Sequence, residues 1–583
     1  MTDEFRVRGT NQDAPFHLTV HRGEGMALLA MNWRRGRPPR DFVGFGIEYV
    51  PPGWTKAPLP VPNRLTFDGT PSFHDRKPSM DAPIQKFRWV HFPFDADRPG
   101  KFRYVVTPRF MNPDESLRSG PAQQVELELA RETHPGRLNV SFTRGFICSQ
   151  AFVDNFVKDH PDDVVTDAQL QAATNSLLPS DADRGLDFTP THRDAAKAHE
   201  WMGFEARRTI LEVLDGAIAD TAAEVRVVAY DLNEPEVVSR LEQLGDRLRV
   251  VIDDSGTHGP AGSGESQSAQ RLRHSAGDDH VRRQHMGNLQ HNKTIVVTGP
   301  NGHVAVCGST NFSWRGFYVQ NNNAVTIRGE AAVAPFVAAF EQYWAGSTAG
   351  FRASDAAQWH ALDLGGLDVK ATFSPHSGGA SGNSVLASIA ADMRTAKSSV
   401  LYSLAFLYQT TGVVRDAVTD LTEDDGVFVA GISDRAVGGI TVQTPDGNRQ
   451  PVRPENLSEH VPAPFSAEPT GGAGIRLHHK FVVVDFDKPT ARVYLGSYNF
   501  SRPADGDNGE NLLLVKDRRV ATAYAIEAVR LFDHYQFRVR QADAATAVDE
   551  LKLHKPPKTA AEPAWFDEDW TDRNKVLDRK LFA

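Results

Sequence analysis

Two short stretches of this chain repeat one chemical pattern. His291, Asn292 and Lys293 are followed by Gly308, Ser309, Thr310, Asn311, Phe312 and Ser313. His478, His479 and Lys480 are followed by Gly496, Ser497, Tyr498, Asn499, Phe500 and Ser501. Between triplet and turn, each copy carries an apolar, mostly β-branched run, residues 294–297 and 481–484. One His-x-Lys triplet means little in a long chain, but triplet, strand and Gly-Ser-x-Asn-Phe-Ser turn repeated at nearly equal spacing mark internal duplication. The residue types suit phosphodiester cleavage. That reaction needs a nucleophile, a proton for the leaving oxygen and positive charge around the nonbridging oxygens. Neutral imidazole is nucleophilic near neutral pH, and a second, protonated imidazole serves as general acid and then base. Lys293 and Lys480 supply charge to the phosphoryl oxygens, and Asn311 and Asn499 supply neutral donors. The paired His, Lys and Asn complete such a site with no metal and no cofactor, and no Cys/His cluster has zinc spacing.

These side chains need elements to bring them together. Buried-strand patterns at residues 225–232, 248–253 and 323–327 answer those at 399–406, 427–434 and 511–515, with Val225 matched to Ser399. Helical periods at 206–218, 237–244 and 385–393 alternate with them, which predicts α/β halves with sheets covered on both faces. The halves, 196–350 and 366–545, are expected to be pseudo-symmetric and to form one active site at their seam, like a dimer fused into one chain. One chain then suffices for one site, whatever the oligomeric state.

The pattern resembles the phospholipase D superfamily, whose signature is His-x-Lys-x4-Asp followed by Gly-Ser-x-Asn. His478, Lys480, Asp485, Gly496, Ser497 and Asn499 fit it in full; the first copy has Thr298 in the Asp place. That Asp is regarded as structural in the family, so the resemblance implies that the first half stays active. It also implies His291 as nucleophile and His478 as acid. Glu510 stands just before one strand, and Asn322, with Gln320 nearby, stands before its counterpart. This asymmetry looks like that of tyrosyl-DNA phosphodiesterases and implies that Glu510 orients His291 across the seam and Asn322 or Gln320 orients His478. Ser309, Ser497, Asp485, Asn322, Arg282 and Arg283 are assigned to the substrate. The implied activity is a metal-independent phosphodiesterase working through phosphohistidine, by hydrolysis or headgroup transfer on phospholipids. The alternatives are a nuclease on DNA or RNA and a binding protein that has lost activity.

The remaining chain is expected to frame the site. Residues 256–268 are Gly/Ser-rich and lead through Arg271, Arg273, Arg282 and Arg283 to His291, which predicts a loop over the site, its arginines gripping phosphate or solvated at the surface. Residues 437–474, with Pro451, Pro454, Pro462, Pro464 and Phe465, form the matching loop, either an acyl-chain entrance or a rigid connection. Residues 1–135 follow strand period, with runs at 26–33, 45–50, 87–92, 102–106 and 125–129. They predict a β-sandwich module resembling fibronectin type III. Residues 136–195 link it to the core and open with a strand near 138–146, and the tail 546–583, rich in acidic and aromatic residues, either binds a partner or wraps the core. The net charge of −10 lacks the broad basic footprint of a nucleic-acid coat. Residues 1–5 have no basic n-region or apolar h-region, and no apolar run reaches a membrane span, so peripheral membrane contact is the form that a lipid substrate would require. Cys148 and Cys307 suit free thiols in a reducing, cytoplasmic compartment.

Overall fold

The computed structural model describes residues 5–68, 76–93, 95–145, 152–158, 165–378, 384–405, 407, 412–424, 426–434, 440–444, 449–452, 477–546 and 552–583. Its architecture is mixed α/β, built on two large mixed sheets.

The first large sheet runs in the order Leu138–Phe142, Asn323–Arg328, Gly302–Gly308, Thr294–Gly299, Glu224–Ala229, Leu248–Ile252, Val281–Arg283. The second runs His360–Ala361, Asp368–Ser374, Glu510–Lys516, Arg492–Gly496, Lys480–Val484, Ser399–Leu404, Phe428–Asp434, Ile440–Gln443, Arg449–Val452. The same step recurs in both. The strand after the His-x-Lys triplet lies antiparallel to Glu224–Ala229 in one sheet and to Ser399–Leu404 in the other, and each of these pairs in parallel with the next. Near-continuous burial of Val225, Val227, Val228 and Ala229 reflects helices on the sheet faces, among them Ala195–Ala219 and Glu330–Ala345. One apolar core runs through both halves and includes Val227, Ile295, Phe481, Leu513 and Tyr524. Phe142 of the first sheet meets Tyr524 of helix Arg518–Thr546 edge-on at 5.2 Å.

The register corrects one expectation and places a strand of the linker. Val225 pairs with Val297 and Val400 with Val484, so Val225 answers Val400 and not Ser399. The strand Leu138–Phe142 pairs with Asn323–Arg328, so the first half takes its edge strand from well before residue 196.

Upstream, two antiparallel sheets share a core of Phe16, Leu29, Met31, Phe45, Ile47 and Tyr104. In Gln123–Glu128, alternate residues Gln123, Val125 and Leu127 turn inward, the period of a strand with one face buried. The tail wraps this region: Trp565 stacks on Phe87 at 5.3 Å and donates Nε1–H to the Phe42 carbonyl at 3.0 Å.

Of residues 437–474, the strands Ile440–Gln443 and Arg449–Val452 extend the second sheet and take up Pro451. Pro454, Pro462, Pro464 and Phe465 lie outside the described residues, as does Cys148. Cys307 is a buried free thiol whose ionisation burial suppresses. Among the described residues, no helix is long and apolar enough to cross a membrane.

Candidate active site

Lys480 opens its strand, and Lys293 directly precedes the strand Thr294–Gly299. Side chains alternate along extended backbone, so each His and Lys share a face while the middle residue points away. The middle residues tie the halves together. Asn511 Nδ2 donates to Asn292 Oδ1 at 2.7 Å, and Asn323 Nδ2 lies 3.3 Å from His479 Nδ1. His479 Nε2 lies 3.0 Å from Glu527, which also holds Arg530.

The outward faces meet at the seam. The rings of His291 and His478 stand 6.1 Å apart at 63°. His291 Nδ1 lies 2.9 and 2.8 Å from the Glu510 carboxylate oxygens, on the opposite half. His478 Nδ1 lies 2.8 Å from Asn322 Oδ1 and 3.0 Å from the Ser309 carbonyl, again across the seam. With Nδ1–H directed at these acceptors, Nε2 of each ring is the atom left to react. Gln320 is not the partner of His478; its carbonyl accepts from Thr143 Oγ1 at 2.7 Å.

The Gly-Ser turns place those acceptors. Gly308 and Gly496 have φ of +130° and +148°, and a Cβ would come within 2.5 Å of the Asn323 carbonyl and 2.2 Å of the Asn511 carbonyl. Only glycine lets the turn approach the neighbouring strand this closely. The next residue then reaches the acceptor: Ser309 Oγ donates to Asn322 Oδ1 at 3.0 Å, and Ser497 Oγ donates to Glu510 Oε2 at 2.6 Å. Both hydroxyls also accept a backbone amide, from Asn323 and Asn511, at 3.0 Å. The serines assigned to the substrate are therefore engaged in holding the residues that aim the histidines, and Asn322 is one of those residues.

Burial shapes the charges. It holds His291 well below the ordinary imidazole value, with Lys293 and Lys480 adding to the effect. It does the same to His478, followed by Lys480 and Lys293. It pushes Glu510 up to about 8 against the pull of Lys293, and lowers Lys293 to about 8 against the pull of Glu510. The ammonium of Lys293 donates to the His291 carbonyl and that of Lys480 to the His478 carbonyl, the latter at 2.6 Å. Asn311 Nδ2 donates to Asp231 at 2.6 Å. Buried Asn311 Oδ1 and Asn499 Oδ1 have no partner among the described residues.

Three assigned residues lie elsewhere. Asp485 ends its strand, away from Lys480, and its Oδ1 accepts the amides of Lys397 and Ser398 at 2.8 Å. In the first half Asp220 does comparable work, accepting the amides of Ala222 at 3.2 Å and Asn301 at 3.1 Å, while Thr298 meets Arg226 at 3.0 Å. Arg282 lies over Trp344 at 4.4 Å. Arg283 donates to Ser266 Oγ at 2.8 Å and to the carbonyls of Asp253 and His258, at 3.0 and 2.5 Å. The segment read as a loop contains the helix Gly264–Ala276, capped by Ser263. Arg271 on that helix pairs with Glu242 at 2.7 Å. Sequence reasoning missed Tyr230, Asp231, Asp253 and His258, which border the site. Their signal was position, at and beyond the carboxyl ends of adjacent parallel strands, where open sheets hold ligands.

Residues 214–344 and 389–531 match the family described as cardiolipin synthase, PLD-like domain. Solved structures with some likeness include a phospholipase D family member, Nuc, from Salmonella typhimurium, 22% identical over 24% of this chain and 88% of that one, with a TM-score of 0.20. Phosphatidylserine synthase from Haemophilus influenzae is 13% identical over 64% of this chain and 93% of its own, with a TM-score of 0.36. Yeast tyrosyl-DNA phosphodiesterase is 9% identical over 51% of this chain and 84% of its own, with a TM-score of 0.28. No curated protein matches the chain.

Proposed function

The chain belongs to the phospholipase D superfamily through its segments 214–344 and 389–531, and from that premise we propose that it is a metal-independent phosphodiesterase with a covalent phosphohistidine intermediate. The observation that carries this reading is the crossed pairing at the seam: His291 with Glu510, His478 with Asn322, and the two rings 6.1 Å apart.

His291 Nε2 attacks phosphorus, the bond to the leaving oxygen breaks, and His478 Nε2–H gives that oxygen its proton. Water or an alcohol then attacks the phosphoryl group, His478 takes the proton, and the N–P bond breaks. The carboxylate opposite His291 makes it the better nucleophile, because it stabilises the ring as positive charge develops. The amide opposite His478 fixes that ring without adding charge. The bound phosphodiester anion raises the proton affinity of His478, offsetting burial and the neighbouring lysines. Lys293 and Lys480 bear on the phosphoryl oxygens, with Asn311 and Asn499 as neutral donors.

The substrate class we propose is a phospholipid, hydrolysed or transferred to a second alcohol, in keeping with the family description. We read the paired N-terminal sheets as a β-sandwich that positions the core. The test uses the whole chain with vesicles of mixed phosphatidylglycerol, phosphatidylcholine and phosphatidylethanolamine, and separately with single- and double-stranded DNA and RNA, all in excess EDTA. Phosphatidic acid or a transfer product is the expected result; cleavage of nucleic acid alone would move the substrate to the alternative class. Loss of turnover in EDTA, restored by zinc or magnesium, would sink the mechanism. His478→Asn should trap an adduct on His291 with an activated aryl phosphodiester, seen by mass spectrometry after acid-free quenching. An adduct on His478 of the native chain would reverse the roles.

A further inference from the structure

His258 stands between two carboxylates. Its Nε2 lies 3.1 Å from Asp231 Oδ1 and its Nδ1 lies 2.8 Å from Asp253 Oδ2. Each carboxylate uses its other oxygen to reach the site. Asp231 Oδ2 accepts the Asn311 amide at 2.6 Å. Asp253 Oδ1 accepts the backbone amide of Gln290, the residue before His291, also at 2.6 Å. The His258 ring lies 4.5 Å from the Tyr230 ring, which also meets His291 at 4.6 Å and Lys293 Nζ at 4.6 Å. The His258 carbonyl is held by Ser263 Oγ at 2.7 Å and by Arg283.

Among the described residues the arrangement occurs in the first half alone. The register that matches Val225 to Val400 puts Phe406 in the sequence place of Asp231, and phenylalanine cannot hold a histidine or an asparagine amide. Asp434 answers Asp253 but lacks that counterpart.

The geometry points to His258 as a positioning residue of the nucleophilic half: clamped between Asp231 and Asp253, it fixes together the Asn311 amide and the backbone that aims His291. This rests on the reading of His291 as nucleophile and Asn311 as donor to phosphoryl oxygen. An asparagine amide has two hydrogens. One given to Asp231 fixes the plane, so the other has a set direction. Burial opposes a charge on His258, but the hydrogen bonds it donates to Asp231 and Asp253 outweigh burial and raise the imidazole to about 10, so the clamp stays cationic at neutral pH. Asp231, His258 and Glu265 also offer ligand atoms within 4.8 Å of one another. A protonated imidazole does not coordinate, so a metal at this place is a competing outcome.

The experiment compares the native chain with His258→Gln, Asp231→Asn and their double variant, using bis(p-nitrophenyl) phosphate for turnover and inorganic phosphate for binding. Each single change should lower kcat per folded molecule roughly 10- to 100-fold, as loss of an orienting partner does elsewhere, and weaken phosphate binding, with a lower melting temperature because a buried charge loses its partner. The double variant should be no worse than the worse single one, because both break the same clamp. Native kcat and phosphate affinity in His258→Gln would overturn the assignment, as would fully additive losses. Zinc or manganese that stimulates the native chain but not His258→Gln would replace it with a cation site. If His258→Gln fails to fold, Asp253→Asn, which keeps an acceptor for Gln290, carries the same test. If the native chain forms no phosphohistidine, the nucleophile reading falls, and the phosphate affinities still decide the clamp.

Discussion

Glu510 and Lys293 must hold opposite charges in the same turnover, and burial works against both. Glu510 has to be a carboxylate to accept the His291 Nδ1–H, but burial pushes it up to about 8 despite Lys293. Lys293 has to be an ammonium to meet phosphoryl oxygen, but burial brings it down to about 8 despite Glu510. The reactive form therefore fills as pH rises through the Glu510 ionisation and empties as pH rises further through that of Lys293. With substrate bound, where the phosphodiester anion keeps His478 protonated, the expected kcat profile is a bell centred near pH 8 whose two limbs belong to the coupled pair. Glu510→Gln keeps an oxygen for Nδ1–H and loses the ionisation. It should abolish the rising limb near pH 8 and lower the plateau about 10- to 100-fold. A native profile flat between about pH 6 and pH 9 would contradict this assignment of charges. His258 introduces no limb in that range, since its imidazole sits at about 10.

Asp485 and the Gly-Ser turns belong to the scale of strands. Asp485 has a φ of +53°, and its Oδ1 gathers the amides that lead into the strand Ser399–Leu404. Asp485→Ala should leave those amides without acceptors and cost on the order of 2 kcal/mol in urea unfolding, with KM unchanged. Asp485→Asn, which keeps an acceptor and tolerates that φ, should cost less. Normal stability with lost turnover in Asp485→Ala would return this residue to the site. The same scale shows what could be read without coordinates. Strands 27–33 and 42–50 are largely apolar runs and the helix at 235–244 carries a helical period, so their signals are local. The His, Lys and Asn set was visible because it occurs twice. The match of Val225 to Ser399 failed by one residue because an apolar run looks alike when shifted, and only backbone pairing fixes register. The helix Gly264–Ala276 was hidden by glycines, although Ser263 as cap and Ala269, Leu272 and Ala276 on one face were its signal. Asp231 and His258 belong to no repeated motif, and Asp253, though answered by Asp434, belongs to none either, so only their place beyond the strand ends marked them.

At the scale of the molecule, one apolar core spans both α/β halves, and a second cluster around Val400, Tyr402 and Val482 lies within the second half. The tail binds the N-terminal sheets to this body. Phe566 is buried among the N-terminal aromatics, Trp565 stacks on Phe87 at 5.3 Å, and Phe582 stacks on Phe486 of the second half at 5.1 Å. The Phe582 carbonyl lies 2.8 Å from His21 Nε2, and Arg88 reaches Asp578 in the tail at 2.6 Å and Asp533 of the second half. The tail is therefore a strap over existing structure, with its large aromatic side chains already occupied. Each buried aromatic contributes about 2 kcal/mol on area grounds, so removing residues 552–583 should cost on the order of 5 kcal/mol across Trp565, Phe566 and Phe582. Such a loss should lower the melting temperature by several degrees and increase binding of an apolar dye. The fraction still folded should keep the native KM, because none of the described residues 552–583 contacts His291, His478 or their partners. An unchanged melting temperature in the shortened chain would mean that these contacts are dispensable and that the segment serves a partner instead.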